Sequence, residues 1–178
     1  MRFIPLILIV IIAAVAAVFL ATSGNKDRVG PFSGERAYAH VASLVGLGPR
    51  HPGSEAIAGA RDYITGQLHQ AGWRTSLQKF EADTPRGRQK FVNIRARFPP
   101  EAGGDIDWQR GGEILLLCSH YDTKFIDAVK FDGANDGGSS SGVLLELAAV
   151  LPTTADLAGG IELVFFDGEE AVVEFTEV

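Results

Sequence analysis

The chain has 178 residues, of which 46% are apolar and 21% are charged. This composition is typical of a globular domain rather than a disordered segment. The 22 acidic residues exceed the 16 basic ones, and the formal net charge of −6 argues against a nucleic-acid-binding surface, which is usually basic. Cys118 is the one cysteine of the sequence, which excludes a framework of intrachain disulfides.

The N-terminus begins with an uncharged stretch over 3–21 that follows Arg2. The apolar core of a signal peptide usually has about 7–15 residues, whereas a membrane-spanning helix needs roughly 17–25. We therefore expect residues 1–21 to form a transmembrane anchor or a signal peptide, residues 22–32 to form a linker, and 33–178 to form one domain. That domain is then exported, either anchored to the membrane or free in the periplasm or outside the cell.

Two helices and two strands are predicted next along the chain. Ser33 is a candidate N-cap for the first helix. The apolar periodicity over 55–71 predicts the second helix, and Gly72 occupies the position where a glycine often ends one. Residues 75–82 are a candidate edge strand. The alternation over 91–98 predicts a strand with one solvated face.

The second half of the chain predicts a strand, a helix and another strand. Residues 114–118 form an unbroken apolar run, which is typical of a strand covered on both faces. Ser140 or Ser141 is the candidate N-cap of the helix, and residues 161–166 form the next buried strand. This order predicts a βαβ unit with parallel strands and a right-handed crossover. The fold class is therefore α/β.

Candidate metal ligands follow the ends of these two strands. His120 and Asp122 follow the first strand, Asp136 lies in the glycine-rich loop before the helix, and Glu169 and Glu170 follow the second strand. Ligands of open α/β sheets bind outside the carboxyl ends of parallel strands, so these side chains are expected to converge. An imidazole with two carboxylates suits a divalent metal, and the histidine favours zinc.

The spacing of these residues also predicts a division of roles. Asp122, two residues after His120, is expected to hold the second ring nitrogen of that histidine. Of the adjacent Glu169 and Glu170, one is expected to bind the metal and the other to act as a base close to it.

Four motifs identify a resemblance to a known family. In chain order they are GPRHPGS, HYDTK, GANDGGSSSGVLLELA and LVFFDGEEA. In order and spacing they resemble the M28 family of zinc aminopeptidases and its glutaminyl-peptide cyclotransferase relatives, and HYDTK and DGEEA resemble the cyclotransferase branch more. The resemblance covers residues 33–178. It implies a three-layer αβα fold with a mixed, mostly parallel central sheet.

The resemblance implies roles for the five candidate residues. His120 matches the histidine that binds the first zinc in two-metal members. Asp136 matches the aspartate that bridges two zincs or binds a single one, and Glu170 matches a zinc-ligand glutamate. Glu169 matches the general acid/base, and Asp122 the aspartate beside the first histidine. His120 would not be a ligand in a one-zinc member, so one or two Zn²⁺ ions are expected.

The substrate implied by the resemblance is the N-terminus of a peptide or protein. A cyclotransferase converts an N-terminal glutamine to pyroglutamate with release of ammonia, whereas an aminopeptidase hydrolyses the N-terminal residue. The family continues past the glutamate pair and supplies a late zinc-ligand histidine, but no histidine follows His120 here. The chain is therefore expected to be truncated and inactive alone. A membrane-tethered domain without catalytic activity is the further alternative.

A serine hydrolase is the rival from another enzyme class. Residues 138–142 match the G-x-S-x-G pattern of a nucleophile elbow. That motif needs a strand directly before it and a histidine later in the chain. The sequence predicts a loop before the motif and has no later histidine, so a turn that caps the following helix is the preferred interpretation.

Overall fold

The protein is described by a computed structural model that covers residues 31–100, 104–109 and 112–170. The predicted anchor over 3–21 lies outside the described residues. Within those residues, no helix is both long enough and apolar enough to cross a membrane. Every described helix and strand belongs to one compact unit that begins at Phe32.

Four helices, one 3₁₀ turn and four strands make up the described unit. In chain order they are α1 (Gly34–Gly46), α2 (Glu55–Gln70), β1 (Arg74–Thr84), β2 (Gly87–Arg97), β3 (Leu115–His120), α3 (Gly138–Val150), the 3₁₀ turn (Leu151–Thr153), α4 (Ala155–Gly159) and β4 (Ile161–Phe166).

The first two helices begin and end as their sequences indicate. The Ser33 hydroxyl accepts a hydrogen bond from the Arg36 amide at 3.3 Å, which confirms the predicted N-cap. Ser54 caps α2 in the same way, through the amide of Ile57 at 3.1 Å. Gly72 follows α2 with a φ of +90°, a left-handed conformation that glycine adopts at low cost.

The N-cap predicted at Ser140 or Ser141 is wrong. Helix α3 begins at Gly138, its N-cap is Gly137, and both serines lie inside its first turn. Their hydroxyls are used elsewhere, because the Ser119 hydroxyl lies 2.8 Å from that of Ser140 and 3.0 Å from that of Ser141. The serines therefore connect α3 to β3 instead of capping the helix.

The four strands form one mixed sheet in the order β1-β2-β4-β3. Strands β1 and β2 form an antiparallel hairpin, and β2 also pairs antiparallel with β4. Strands β3 and β4 are parallel, as the βαβ pattern predicts. Only one of these three pairs is parallel, so the expectation of a mostly parallel sheet does not hold among the described strands, because the hairpin adds antiparallel pairs on one side.

Strand β3 departs from its prediction as a strand covered on both faces. Leu115 and Leu116 are 58% and 55% exposed, and Cys118 is also exposed. Among the described strands β3 pairs only with β4, so it lies at an edge of the sheet. An apolar run indicates that a strand favours burial, but it does not indicate which neighbouring element covers the strand.

Helices α2 and α3 contribute to the core together with the sheet. Buried Ile64 and Leu68 of α2 lie in one cluster with Leu144 of α3 and with Ile94 and Leu163 of the sheet. Trp73 belongs to the same cluster, and its indole N–H donates to the carbonyl of Ala148 at 2.8 Å.

An ion pair joins α1 to α3. Buried Glu146 accepts hydrogen bonds from the guanidinium of Arg36, with Nε at 3.0 Å from Oε2, and from the amide of Ser33 at 2.9 Å. Because the carboxylate is buried and hydrogen-bonded on both oxygens, it fixes the start of α1 against the middle of α3.

Candidate metal centre

The parallel pairing of β3 and β4 brings the two loops that carry most of the candidate residues together. The last residues of the two strands, His120 and Phe166, are direct partners in the ladder. The amide of Tyr121 then donates to the carbonyl of Phe166 at 3.0 Å, so the chains leave the sheet side by side. This is the carboxyl end of the parallel pair, where ligands bind in open α/β sheets.

Three of the candidate residues gather at this point. His120, Asp136 and Glu170 each place one ligand atom within 4.8 Å of the other two. Asp136 reaches the group from the loop before α3, and Glu170 from the loop after β4. The structure therefore brings together the imidazole and the two carboxylates that the sequence nominates as metal ligands.

The imidazole of His120 lies between acidic groups. Its Nδ1 is 3.3 Å from Oδ1 of Asp122, the contact that the HxD spacing predicts, and its Nε2 is 3.2 Å from Oδ1 of Asp136. Oε2 of Glu169 is 3.8 Å from the same Nε2. The hydrogen bond to Asp122 is the main cause that raises the pKa of His120 to about 9, with desolvation opposing it and the three carboxylate charges adding to it. A bound cation would compete with this proton for the imidazole.

Glu170 shows that the site suits a cation. Its amide donates to Oδ2 of Asp122 at 3.1 Å, which fixes the backbone of the loop. Its carboxylate oxygen Oε1 is buried and has no hydrogen-bond partner. Burial raises the pKa of Glu170, and the negative charges of Asp136 and Asp122 raise it further. Because an unpartnered buried carboxylate oxygen is costly, a divalent cation fits this donor set.

Glu169 differs from its neighbour in exposure. Its side chain is 57% exposed, and it stays beside the three-residue group rather than within it. Of the adjacent pair, Glu170 is therefore placed with the candidate ligands, and Glu169 is placed to reach a molecule in solvent.

Two glycines allow the site to close tightly. Gly137 has a φ of +70°, and a Cβ at this position would lie 2.9 Å from Cε1 of His120. Gly133 has a φ of +54°, and its Cβ would lie 2.5 Å from Cγ2 of Thr123. Glycine is therefore required at both positions, because the backbone φ is positive and because His120 and Thr123 lie too close for a side chain.

A buried polar network lies next to the site. The Asp167 carboxylate accepts from the amide of Val92 at 2.8 Å and lies 3.9 Å from the guanidinium of Arg61. The Tyr121 hydroxyl donates to the carbonyl of Val92 at 2.7 Å and is 3.5 Å from Oδ2 of Asp167. Desolvation is the main cause that raises the pKa of Asp167 to about 6.

Sequence reasoning missed two buried charged residues at this centre. Arg50 is fully buried and Asp167 is 4% exposed. Arg50 lies in the motif GPRHPGS and Asp167 in the motif LVFFDGEEA, and this position within the motifs is the sequence feature that could have identified them. An arginine beside prolines and glycines is usually a surface residue of a turn, so composition alone assigned it no role.

Comparison with known proteins agrees with the motifs. Residues 93–174 match the sequence model of Peptidase family M28. The chain is 33% identical over 145 residues to the glutaminyl-peptide cyclotransferase of Gloydius blomhoffii, which covers 71% of this chain and 36% of that relative. It is 38% identical to a solved glutaminyl cyclase of Porphyromonas gingivalis, with a TM-score of 0.67 over 80% of this chain and 48% of that one.

A solved Zn-dependent exopeptidase of Parabacteroides distasonis is also similar, with 31% identity and a TM-score of 0.67 over 83% of this chain and 52% of that one. These matches confirm the resemblance to the M28 family and to its cyclotransferases. The chain spans 36% of the length of the first relative and about half of each of the two solved chains.

Replacing Gly137 by alanine should disrupt the centre. The new Cβ would approach the His120 ring to 2.9 Å and the carbonyl of Asp122 to 3.0 Å, so the imidazole must move. We expect zinc affinity to fall by about 10–100-fold, as for other residues that orient ligands. Gly66→Ala in α2 is the matched control, because its Cβ meets nothing within 4 Å. Equal zinc affinity of the two variants in a chelator competition would contradict the geometry described here.

Asp167 should give a pH-dependent contribution to stability. Its pKa rises from 3.8 to about 6 on folding, so the folded state binds its proton more tightly. The stability that it contributes is complete below pH 4 and is lost as the pH rises through about 6. The asparagine of the Asp167→Asn variant does not ionise, so the variant does not lose this stability as the pH rises. Its free energy of unfolding relative to the wild type should therefore be higher at pH 7.5 than at pH 4 by about 1–3 kcal/mol. Urea denaturation at both pH values measures this difference, and a pH-independent value would refute it.

Proposed function

The chain is a member of the M28 family that resembles the glutaminyl cyclases in sequence and fold, and on this basis we propose that the whole protein is a zinc-dependent glutaminyl-peptide cyclotransferase. It would convert the N-terminal glutamine of a peptide or protein to pyroglutamate and release ammonia. The observation that carries the proposal is the group formed by His120, Asp136 and Glu170, with Glu169 beside it.

Asp136 and Glu170 are the proposed ligands of a single zinc ion. His120 would join them if two ions bind, because its Nε2 already faces Asp136 at 3.2 Å. The unpartnered Oε1 of Glu170 supports this assignment. Zinc, when bound, supplies a Lewis acid that polarises a carbonyl oxygen.

Glu169 is the proposed general acid/base. In the reaction, the α-amine nitrogen of the N-terminal glutamine attacks its own γ-carbonyl carbon, and the bond from that carbon to the amide nitrogen breaks. The Glu169 carboxylate would accept the proton lost by the attacking nitrogen and return it to the departing nitrogen, which leaves as ammonia. No water is consumed. The exposure of Glu169 supports this role, since the side chain can reach a substrate that enters from solvent.

Asp122 is proposed to position the neighbouring residues of the site rather than to contact the substrate. Its two oxygens face Nδ1 of His120 and the amide of Glu170. It is fully buried, so it keeps the imidazole oriented while it fixes the loop that carries both glutamates.

The alternative activity is that of an aminopeptidase. The similarity to a solved Zn-dependent exopeptidase favours it, and the same residues would serve. In that reaction Glu169 would take a proton from the attacking water and return it to the leaving amine. A membrane-tethered domain without catalytic activity is the remaining alternative. The serine elbow is not supported, because Ser140 lies inside the first turn of α3 and no strand directly precedes it.

We also propose an architecture for the whole domain and a location for the protein. The whole domain would have three layers, with helices on both faces of a mostly parallel sheet. The uncharged stretch over 3–21 would anchor the protein in a membrane or direct its export, and the domain would face the periplasm or the cell exterior.

Glutamine substitutions should separate the roles of the two glutamates in the whole protein. Glu170→Gln is expected to lower both zinc content and turnover. Glu169→Gln should retain zinc after dialysis but lose turnover by about 10²–10⁴-fold, which is the usual contribution of a general acid/base. Atomic absorption measures zinc, and ammonia release from a glutaminyl peptide measures cyclisation.

Amine release from an aminoacyl anilide tests the alternative activity in the same preparations. Turnover of the anilide alone would favour the aminopeptidase. Loss of zinc from the Glu169→Gln variant would mean that the two roles are reversed. A zinc-loaded wild type that turns over neither substrate would reject the proposed function.

An alkaline phosphatase fusion after residue 30 tests whether the stretch over 3–21 directs export. The reporter folds actively only outside the cytoplasm, so an active fusion is expected if the stretch over 3–21 directs export. A fusion that lacks residues 3–21 is the control and should be inactive. Equal activity of the two fusions would reject this role of the N-terminal stretch.

A further inference from the structure

We propose that Arg50 is a positioning residue that sets the distance between His120, the last residue of β3, and Asp136 by binding both ends of the loop over 121–137 that joins β3 to α3. The inference rests on the proposed function in one respect, namely that these residues hold a divalent metal. Arg50 lies in the turn between α1 and α2 and is fully buried, which is unusual for an arginine.

Among the described residues, the hydrogen-bond acceptors of the Arg50 side chain are backbone carbonyls. Its guanidinium donates four hydrogen bonds, to Tyr121 O at 2.9 Å, Asp132 O at 2.8 Å, Gly133 O at 3.1 Å and Leu44 O at 3.2 Å. These acceptors belong to the last turn of α1 and to the two ends of the loop over 121–137, which joins β3 to α3. One planar cation thus fixes both ends of this loop relative to each other and to α1.

The backbone of Arg50 reinforces the connection to the loop after β3. Its amide donates to the hydroxyl of Thr123 at 2.8 Å, and its carbonyl accepts from the amide of Thr123 at 3.2 Å. Thr123 is itself fully buried. This reciprocal pair of hydrogen bonds leaves the loop little freedom to shift relative to the turn that holds Arg50.

The acceptors of Arg50 are neighbours of the candidate ligands. Tyr121 lies between His120 and Asp122 in the chain. Gly133 lies three residues before Asp136, and its carbonyl also accepts from the amide of Gly138 at 3.1 Å. A movement at Gly133 would therefore reach both Asp136 and the start of α3. The guanidinium therefore binds the backbone close to His120 and close to Asp136, and so constrains the distance between these two residues.

Only arginine can make this set of contacts. Its guanidinium presents five N–H groups in a rigid planar fork, whereas lysine has a single nitrogen with three N–H groups. The four carbonyls approach three different nitrogens of Arg50. Arg50→Lys would keep the charge but leave at least one buried carbonyl without its donor, and the two ends of the loop over 121–137 would separate.

The test compares Arg50→Lys with Arg36→Lys in the whole protein. Arg36 also makes a buried connection, to Glu146, but it joins α1 to α3 away from the candidate ligands. Both variants are expected to lose stability in urea. Zinc affinity, measured by chelator competition, should fall by about 10–100-fold in Arg50→Lys alone, and the visible spectrum of the cobalt-loaded variant should change. Equal effects of the two variants on affinity, or an unchanged affinity in Arg50→Lys, would overturn the proposal.

A metal-free measurement separates this proposal from the proposed function. Native-state hydrogen exchange at the amides of Thr123 and Gly138 should accelerate by at least tenfold in Arg50→Lys relative to Arg36→Lys at matched stability. If the wild type binds zinc but acts on neither substrate, the function fails while the Arg50 result stands. Unchanged exchange at both amides would overturn the role of Arg50 whatever the enzyme does.

Thr123→Val provides a second variant if Arg50→Lys does not fold. It removes the hydroxyl that accepts from the Arg50 amide and preserves side-chain shape. We expect a smaller loss of zinc affinity, several-fold, with faster exchange at Gly138. A Thr123→Val protein with wild-type affinity and exchange would contradict the proposed coupling between the turn and the ligand loops.

Discussion

Asp122 connects the two loops on which the candidate metal centre depends. One oxygen of its fully buried carboxylate faces the ring of His120, and the other accepts the amide of Glu170. The parallel pairing of β3 and β4 brings these loops close enough for one side chain to reach both. Burial of a carboxylate costs least when both oxygens accept hydrogen bonds, so this pair of contacts holds the backbone as well as the imidazole.

The electrostatics of the site follow from this arrangement. The carboxylates of Asp122, Asp136 and Glu169 lie around the imidazole and raise the pKa of His120, while burial and the neighbouring carboxylates raise the pKa of Glu170. Repulsion among these negative groups is relieved by a proton or by a cation. The same cluster of negative groups would favour a bound divalent metal, and the side chain of Glu169 is exposed beside it.

Packing confines these groups to one geometry. Gly133 and Gly137 let the end of the loop over 121–137 approach His120 and the start of the same loop more closely than any side chain would permit. The guanidinium of Arg50 donates to the carbonyls of Asp132 and Gly133 in the same loop. The glycines supply close approach and the arginine supplies fixed spacing, so neither feature alone accounts for the site.

Local patterns in the sequence predicted helices α1 to α3, but not the short α4, together with the βαβ order and the identity of the clustered residues. Apolar periodicity and serine caps act within a few residues, and strand order places polar residues at one end of a parallel pair. The sequence could not show that Leu115 and Leu116 are exposed, since burial depends on which strands lie beside β3. It also could not show that α3 begins at Gly138 or that Arg50 is buried. Those features depend on hydrogen bonds between residues far apart in the chain, which form only when the tertiary structure brings the segments together.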